Sequence, residues 1–209
     1  MQESFIKFAL EKKVLQFGDF TTKAGRKSPY FFNLGSFNDG DSLKRLGDFY
    51  ADKIIEENIE FDLLFGPAYK GISLVGAIAI SLANKGINKK FSSNRKEVKD
   101  HGEGGLIIGA PISGKILIID DVISAGTSIN ESFSLINQFD AKIVSIIVSI
   151  DRKEKGSEKL SAIEEIYKKY KVPVKSIINL DNIIGFLQKD TKNKKILDEM
   201  LSYKQKYGV

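Results

Sequence analysis

The segment Lys115 to Ser128, KILIIDDVISAGTS, constrains this chain more than any other. Four apolar residues, Ile116-Leu117-Ile118-Ile119, stop abruptly at the paired acids Asp120 and Asp121. Val122 and Ile123 lead into the small residues Ser124, Ala125, Gly126, Thr127 and Ser128, after which Ile129, Phe133 and Ile136 recur at helical spacing. This is a buried strand, a tight loop and a helix N-terminus. The loop presents unpaired backbone N–H groups, hydroxyl donors and the positive end of a helix dipole, a setting that holds phosphate. The two carboxylates stand one step earlier, within reach of sugar hydroxyls attached to that phosphate. A phosphorylated sugar satisfies both halves. Two acids after a strand can be no more than a solvated turn with a helix cap; the hydroxyl-rich loop and the strength of the flanking strand argue for more. The chain has no G-x-x-x-x-G-K-[ST], and Gly102-Glu103-Gly104-Gly105 lacks the third glycine of a dinucleotide fingerprint.

The remaining elements alternate in the same way. Phe5, Ile6, Ala9 and Leu10 lie on one face of an N-terminal amphipathic helix. Phe17 to Thr21 and Tyr30 to Asn33 read as strands around Ala24-Gly25-Arg26. Asp41 is expected to cap a helix running through Ile54 and Ile55. Strands are expected at Asp62 to Phe65, Lys115 to Ile119, Lys142 to Ile150 and Val174 to Ile178. Helices are expected at Gly71 to Asn84, near Glu158 to Lys169, Asp181 to Leu187 and Lys194 to Tyr203. Strands alternating with helices imply a mostly parallel sheet with ligands at the strand C-terminal ends. No repeat or linker interrupts the chain, so residues 1–209 are expected to form one folding unit. Within it, the hood covers roughly 1–40, the core 41–180 and the C-terminal helices 181–209.

Composition removes several classes of function. With no Cys and the single histidine His101, neither thiolate catalysis nor a His/Cys zinc site can be built. The most apolar window, Gly71 to Ala83, is too short to span a bilayer. A soluble, cytoplasmic protein without membrane partners is expected. The net charge of +5 concentrates between Lys85 and Asp100, where six basic residues face two acids. A small polyanion accounts for that cluster as well as nucleic acid does.

Three further stretches carry chemistry. Gly66-Pro67-Ala68-Tyr69-Lys70-Gly71 joins a strand to a helix and aims N–H groups and an ammonium at the same sheet edge as Asp120; taken alone it reads better as an ordinary βα turn with an exposed lysine. Arg95 to Gly105 is basic, ends in glycines and has no apolar period, so a surface loop is expected. Phe31-Phe32 lie on a strand, where neighbours point to opposite faces and one can belong to the core. Arg152 follows a strand end, where a guanidinium can take a carboxylate in two parallel hydrogen bonds or form a surface salt bridge.

IIDDVISAGTS resembles the 5-phosphoribosyl-1-diphosphate (PRPP) motif of the type I phosphoribosyltransferases, and FTTKAGRKSPYFFN, FDLLFGPAYKGI, NRKEVKDHGEGG and SIDRKEKG extend the resemblance along nearly the whole chain. The similarity is to members of that family acting on orotate in pyrimidine biosynthesis. It implies an α/β fold with an N-terminal helix and hairpin hood over the central sheet, and Mg²⁺ held mainly through substrate rather than directly by protein. It implies PRPP contacts at Lys23, Tyr69, Lys70, Arg95, Lys96, Lys99, His101 and the loop Asp120, Asp121, Val122, Ile123, Ser124, Ala125, Gly126, Thr127 and Ser128. Of these, Lys99, His101 and Arg95 would be catalytic, on a lid over the leaving diphosphate. Orotate contacts would fall at Phe31, Phe32, Ser124 and Arg152. The resemblance further implies a homodimer in which the lid enters the neighbouring subunit's site while Lys96 serves its own, and a non-proline cis peptide in or beside Ala68-Tyr69-Lys70. Ser124 departs from the threonine usual there, keeping the hydroxyl and losing a methyl.

Two rival readings share the PRPP loop. A purine phosphoribosyltransferase has no need of Phe31-Phe32 or Arg152. A regulatory PRPP sensor that binds nucleic acid would require a DNA-binding element, and the residues before Phe17 are too few for a helix-turn-helix domain.

Overall fold

A computed structural model describes residues 1–22, 25–99, 105–123, 126–156 and 160–209, with backbone alone at residues 98 and 99. Helix α1 (Gln2–Glu11) leads into the hairpin β1 (Leu15–Thr21) and β2 (Lys27–Phe32). Then come α2 (Gly40–Glu56), β3 (Leu63–Gly66), α3 (Lys70–Asn84), β4 (Lys90–Lys99), β5 (Gly105–Gly109) and β6 (Gly114–Ile119). The chain ends with α4 (Thr127–Ile136), β7 (Ala141–Asp151), α5 (Ala162–Tyr170), β8 (Val174–Asn179), α6 (Leu180–Leu187) and α7 (Lys194–Tyr207).

The fold is α/β. Six strands form one sheet in the order β5-β4-β3-β6-β7-β8, parallel except where β5 runs antiparallel to β4. Alternation along the strands divides the core between the two sheet faces. Leu64, Leu117, Ile119 and Ile147 turn toward Phe5 and Phe8 of α1, Leu46 and Tyr50 of α2, Leu74 and Ile78 of α3 and Ile183 of α6. Leu63, Phe65, Ile116, Ile118 and Ile146 turn the other way, against Ile129, Phe133 and Ile136 of α4 and Ile166 of α5. Each such side chain, fully buried, contributes about 1.5–3 kcal/mol of hydrophobic stabilisation. Helices on both faces explain why β3 and β6 read as unbroken apolar runs and β7 as one interrupted only by Ser145 and Ser149.

Three expectations need correction. The stretch from Arg95 was expected to be loop, yet Lys90–Lys99 and Gly105–Gly109 are paired strands. Their pairing rests on backbone hydrogen bonds along the edge of the sheet, and Ser92 and Ser93 are buried there, so no apolar period marks it. The cap of α2 is Asp39, whose Oδ1 accepts from the Ser42 N–H at 2.7 Å; Asp41 lies in the first turn instead. The start expected near Glu158 lies outside the described residues, and α5 begins at Ala162 with a capping box between Ser161 and Glu164.

Candidate active site

The order β5-β4-β3-β6-β7-β8 has its switch point between β3 and β6, where successive connections leave in opposite directions. Open α/β sheets bind ligands in the crevice this creates. The loops after β3 and β6 both open there. Three residues past β6, Val122 bridges to Ile150 of the longer β7, so Arg152 also emerges beside the crevice.

Asp120 is only 7% exposed. Its Oδ1 accepts the Asp121 N–H at 2.8 Å and its Oδ2 the Ser128 hydroxyl at 3.0 Å, which folds the loop back onto the start of α4. Its carbonyl accepts the Tyr50 hydroxyl at 2.8 Å, fastening the loop to α2. Burial, and then the neighbouring Asp121 charge, push the Asp120 carboxyl up to about 6 despite those two hydrogen bonds. Asp121 is more open, and its Oδ1 accepts the Val122 N–H at 2.8 Å. Helix α4 starts at Gly126, in the left-handed conformation at φ +69°, with no side chain capping it. Its first-turn N–H groups are therefore left for an anion. Ser124 and Ala125 lie outside the described residues.

The second loop is compact. Gly66 and Gly71 approach so closely that a Cβ on Gly66 would stand 2.2 Å from the Gly71 carbonyl oxygen. The Ala68–Tyr69 peptide is cis, at the place the resemblance implies. The Ala68 N–H donates to Asn94 Oδ1 of β4 at 2.9 Å, and Lys70 forms an ion pair with Asp121. That pair joins the two loops across the switch point. Tyr69 stands 73% exposed.

On the β4–β5 hairpin, Arg95 Nη1 donates to the carbonyls of Gly105 at 3.2 Å and Ile107 at 2.8 Å. Contact with a diphosphate requires that guanidinium to leave its own hairpin. Lys96 pairs with Glu131 of α4 at 2.8 Å, on the helix that the Asp120 loop opens. Lys99 shares a backbone rung with Gly105, and its side chain lies outside the description, as do His101 and Lys23.

Strand alternation separates the two phenylalanines. Phe31 is 42% exposed and stacks on Phe20 with ring centroids 5.3 Å apart. Phe32 is in the core beside Phe5, so its ring is not available to a base; any contact there uses its backbone. Arg152 is no surface salt bridge. Its guanidinium is part-buried over the Tyr30 ring, 4.2 Å from the centroid, and Nε donates to Glu154 at 2.7 Å. Burial works against its charge, and Tyr30 and Glu154 more than offset that.

Among the described residues no cluster of three His, Cys, Asp or Glu side chains offers a metal cage. Asp121 faces Lys70, and both Asp120 oxygens accept bonds from the loop. This donor set suits a hard cation carried in by phosphate oxygens.

Several supports escaped the sequence reading. Tyr50 looks like any core aromatic, and its hydroxyl contact depends on the pairing of distant elements. Ser149, a polar residue inside an apolar strand, was the legible hint: its N–H donates to the Asp121 carbonyl at 3.0 Å. Asn94 and Glu154 gave no signal.

The sequence pattern of the phosphoribosyl transferase domain matches residues 33–183. The switch-point crevice and its two phosphate-type loops thus belong to a phosphoribosyltransferase. The orotate phosphoribosyltransferases of Thiobacillus denitrificans and Neisseria meningitidis serogroup C are 51% and 52% identical to the chain, covering 98% and 100% of it and 97% and 98% of their own lengths. The crystal structure of the Francisella tularensis orotate phosphoribosyltransferase superimposes with a TM-score of 0.90 at 42% identity, over 99% of this chain and 100% of that one. The chain belongs to the orotate phosphoribosyltransferase family.

Proposed function

We propose that the protein transfers phosphoribose from PRPP to orotate, giving orotidine 5′-monophosphate and diphosphate. The observation that carries this reading is the Lys70–Asp121 pair. It brings a loop suited to diphosphate against a loop suited to a ribose phosphate, with Arg152 beside them. Residues 126–128 and the N-terminus of α4 hold the 5′-phosphate. Asp120 and Asp121 accept the ribose hydroxyls, and Tyr69 and Lys70 meet the diphosphate. On the base side, Phe31 lies against the ring and Arg152 takes the carboxylate. Lys23, Ser124 and Ala125 are proposed contacts from the family resemblance.

The bond from the anomeric carbon to the diphosphate breaks as the bond to the ring nitrogen forms. Positive charge develops on the ribose and negative charge on the leaving group. No protein nucleophile is required, so positioning and charge stabilisation supply the rate. Lys99, His101 and Arg95 bring cations to the departing oxygens and exclude water, acting across a homodimer, while Lys96 remains with its own subunit. Carried in on the substrate, Mg²⁺ would supply charge neutralisation at the phosphate oxygens. Purified protein with PRPP, Mg²⁺ and orotate should lose orotate absorbance, whereas hypoxanthine and adenine should not be consumed. Consumption of a purine with orotate untouched refutes the assignment.

A further inference from the structure

Arg152 sits in a constellation larger than a carboxylate receptor needs. Glu154 Oε1 accepts from Arg152 Nε, with Nη2 also 2.7 Å away, and accepts the Tyr203 hydroxyl of α7 at 2.7 Å. Arg152 Nη2 donates to Ser28 Oγ of β2 at 3.2 Å and to the Tyr203 oxygen at 3.4 Å. Arg26, from the hood turn, places Nη1 3.4 Å from Glu154 Oε2 and donates through Nη2 to the Lys155 carbonyl at 2.6 Å. The end of β7, the hood and the C-terminal helix meet at this one carboxylate, which is 15% exposed.

We propose that Glu154 is a positioning residue for the base, fixing Arg152 by one edge so that Nη1, on its far side, is held toward the carboxylate. The inference rests on the reading of Arg152 given above. A guanidinium carries five N–H donors in a rigid fork with two edges able to grip a carboxylate. Glu154 occupies the Nε–Nη2 edge, Nη2 also donates to Ser28 and Tyr203, and no described hydrogen bond uses Nη1, which is left for the ligand. Tyr30 covers one face of the fork, so the group is held in orientation by an edge and a plane together. Two guanidiniums contact the single Glu154 carboxylate, which leaves the contact group with positive charge for an incoming anion. An arginine already immobilised loses little side-chain entropy when its ligand arrives. Burial and acceptance by Glu154 keep the Tyr203 phenol protonated, so it stays a donor. The opposite arrangement, with Glu154 as an internal rival that the substrate must displace, predicts effects of opposite sign.

The test is steady-state kinetics of the dimeric, Mg²⁺-loaded enzyme carrying Glu154→Gln, which keeps shape and removes charge. The expected result is a rise of tenfold or more in the orotate KM, with the PRPP KM and kcat within twofold. Tyr203→Phe, which deletes one hydroxyl, should raise the orotate KM two- to fivefold and serves if Glu154→Gln does not fold. The Arg152 Nε–H resonance in ¹⁵N spectra should be sharp and displaced in the parent and collapse to the position of solvent-exposed arginines in Glu154→Gln. A fall in the orotate KM, or no change, overturns the proposal when Arg152→Ala still raises it. If Arg152→Ala also leaves the orotate KM unchanged, the base-carboxylate reading fails and the positioning role falls with it.

Discussion

The buried Asp120 ties the electrostatics of the site to the stability of the fold, and Asp120→Asn isolates that link. In the folded chain its carboxyl is pushed from 3.8 up to about 6 by burial and then by the Asp121 charge. An acid whose pKa is raised by folding binds more protons folded than unfolded between about pH 4 and 6. Stability is therefore greatest below that window and falls as pH rises through it. At 1.36 kcal/mol per pH step, the gap is worth about 3 kcal/mol, lost in full above pH 6. Asp120→Asn keeps an oxygen for the Asp121 N–H and can donate its amide to the Ser128 hydroxyl, but it never ionises. Carboxyls such as Asp39, Glu57 and Asp181 are lowered by their partners and slope the opposite way, in parent and variant alike. They cancel in the difference between the two proteins. Urea unfolding followed by far-ultraviolet circular dichroism, at fixed protein concentration without PRPP or Mg²⁺, gives that difference at each pH. Relative to the parent, the variant should gain about 3 kcal/mol between pH 4 and pH 7, roughly 1 M in midpoint at a slope of about 3 kcal/mol/M. A difference that stays level across that range refutes the reasoning.

Gly66→Ala should destabilise the fold by about 1–3 kcal/mol and raise the PRPP KM, because the new methyl collides with the Gly71 carbonyl; an unchanged melting temperature and KM would show that the loop yields. Lys99→Ala should lower kcat far more than PRPP affinity, and equal losses would mean that the lysine binds ground and transition states alike. Mixing Lys99→Ala subunits with subunits carrying Asp120→Asn and Asp121→Asn should restore activity if the lid serves the neighbouring site; failure to rescue places it in its own. Arg152→Ala should raise the orotate KM about 10- to 100-fold, the scale of losing charge-assisted hydrogen bonds, with little change in the PRPP KM.

The parallel core was legible because β3, β6 and β7 are buried on both faces and carry apolar runs, broken only by Ser145 and Ser149 in β7 and bounded by acids or glycine. The hairpin β4–β5 was not, since its pairing is made by backbone groups and its buried residues are serines. Asp120 and Asp121 stood out by their place after β6, yet their division of labour did not: one is turned inward to staple its loop and the other outward to Lys70. The split of Phe31 from Phe32 followed from strand alternation, although only the fold says which faces inward. Glu154 and Tyr203 lie 49 residues apart and meet only when α7 packs against the end of β7.

The places of the Asp120 loop and of the β4–β5 ribbon within the sheet have a thermodynamic corollary. Asp120 and its loop spring from β6, hydrogen-bonded on both sides in mid-sheet, whereas Lys99 and Gly105 close a ribbon whose outer strand, β5, is bonded on one side only. Local opening is cheapest where neighbours are fewest. Amide protons of the central strands should thus be the last to exchange with solvent and those of the outer ribbon among the first. The Asp120 loop is anchored in the most protected part of the molecule, and the proposed lid hangs from one of the least.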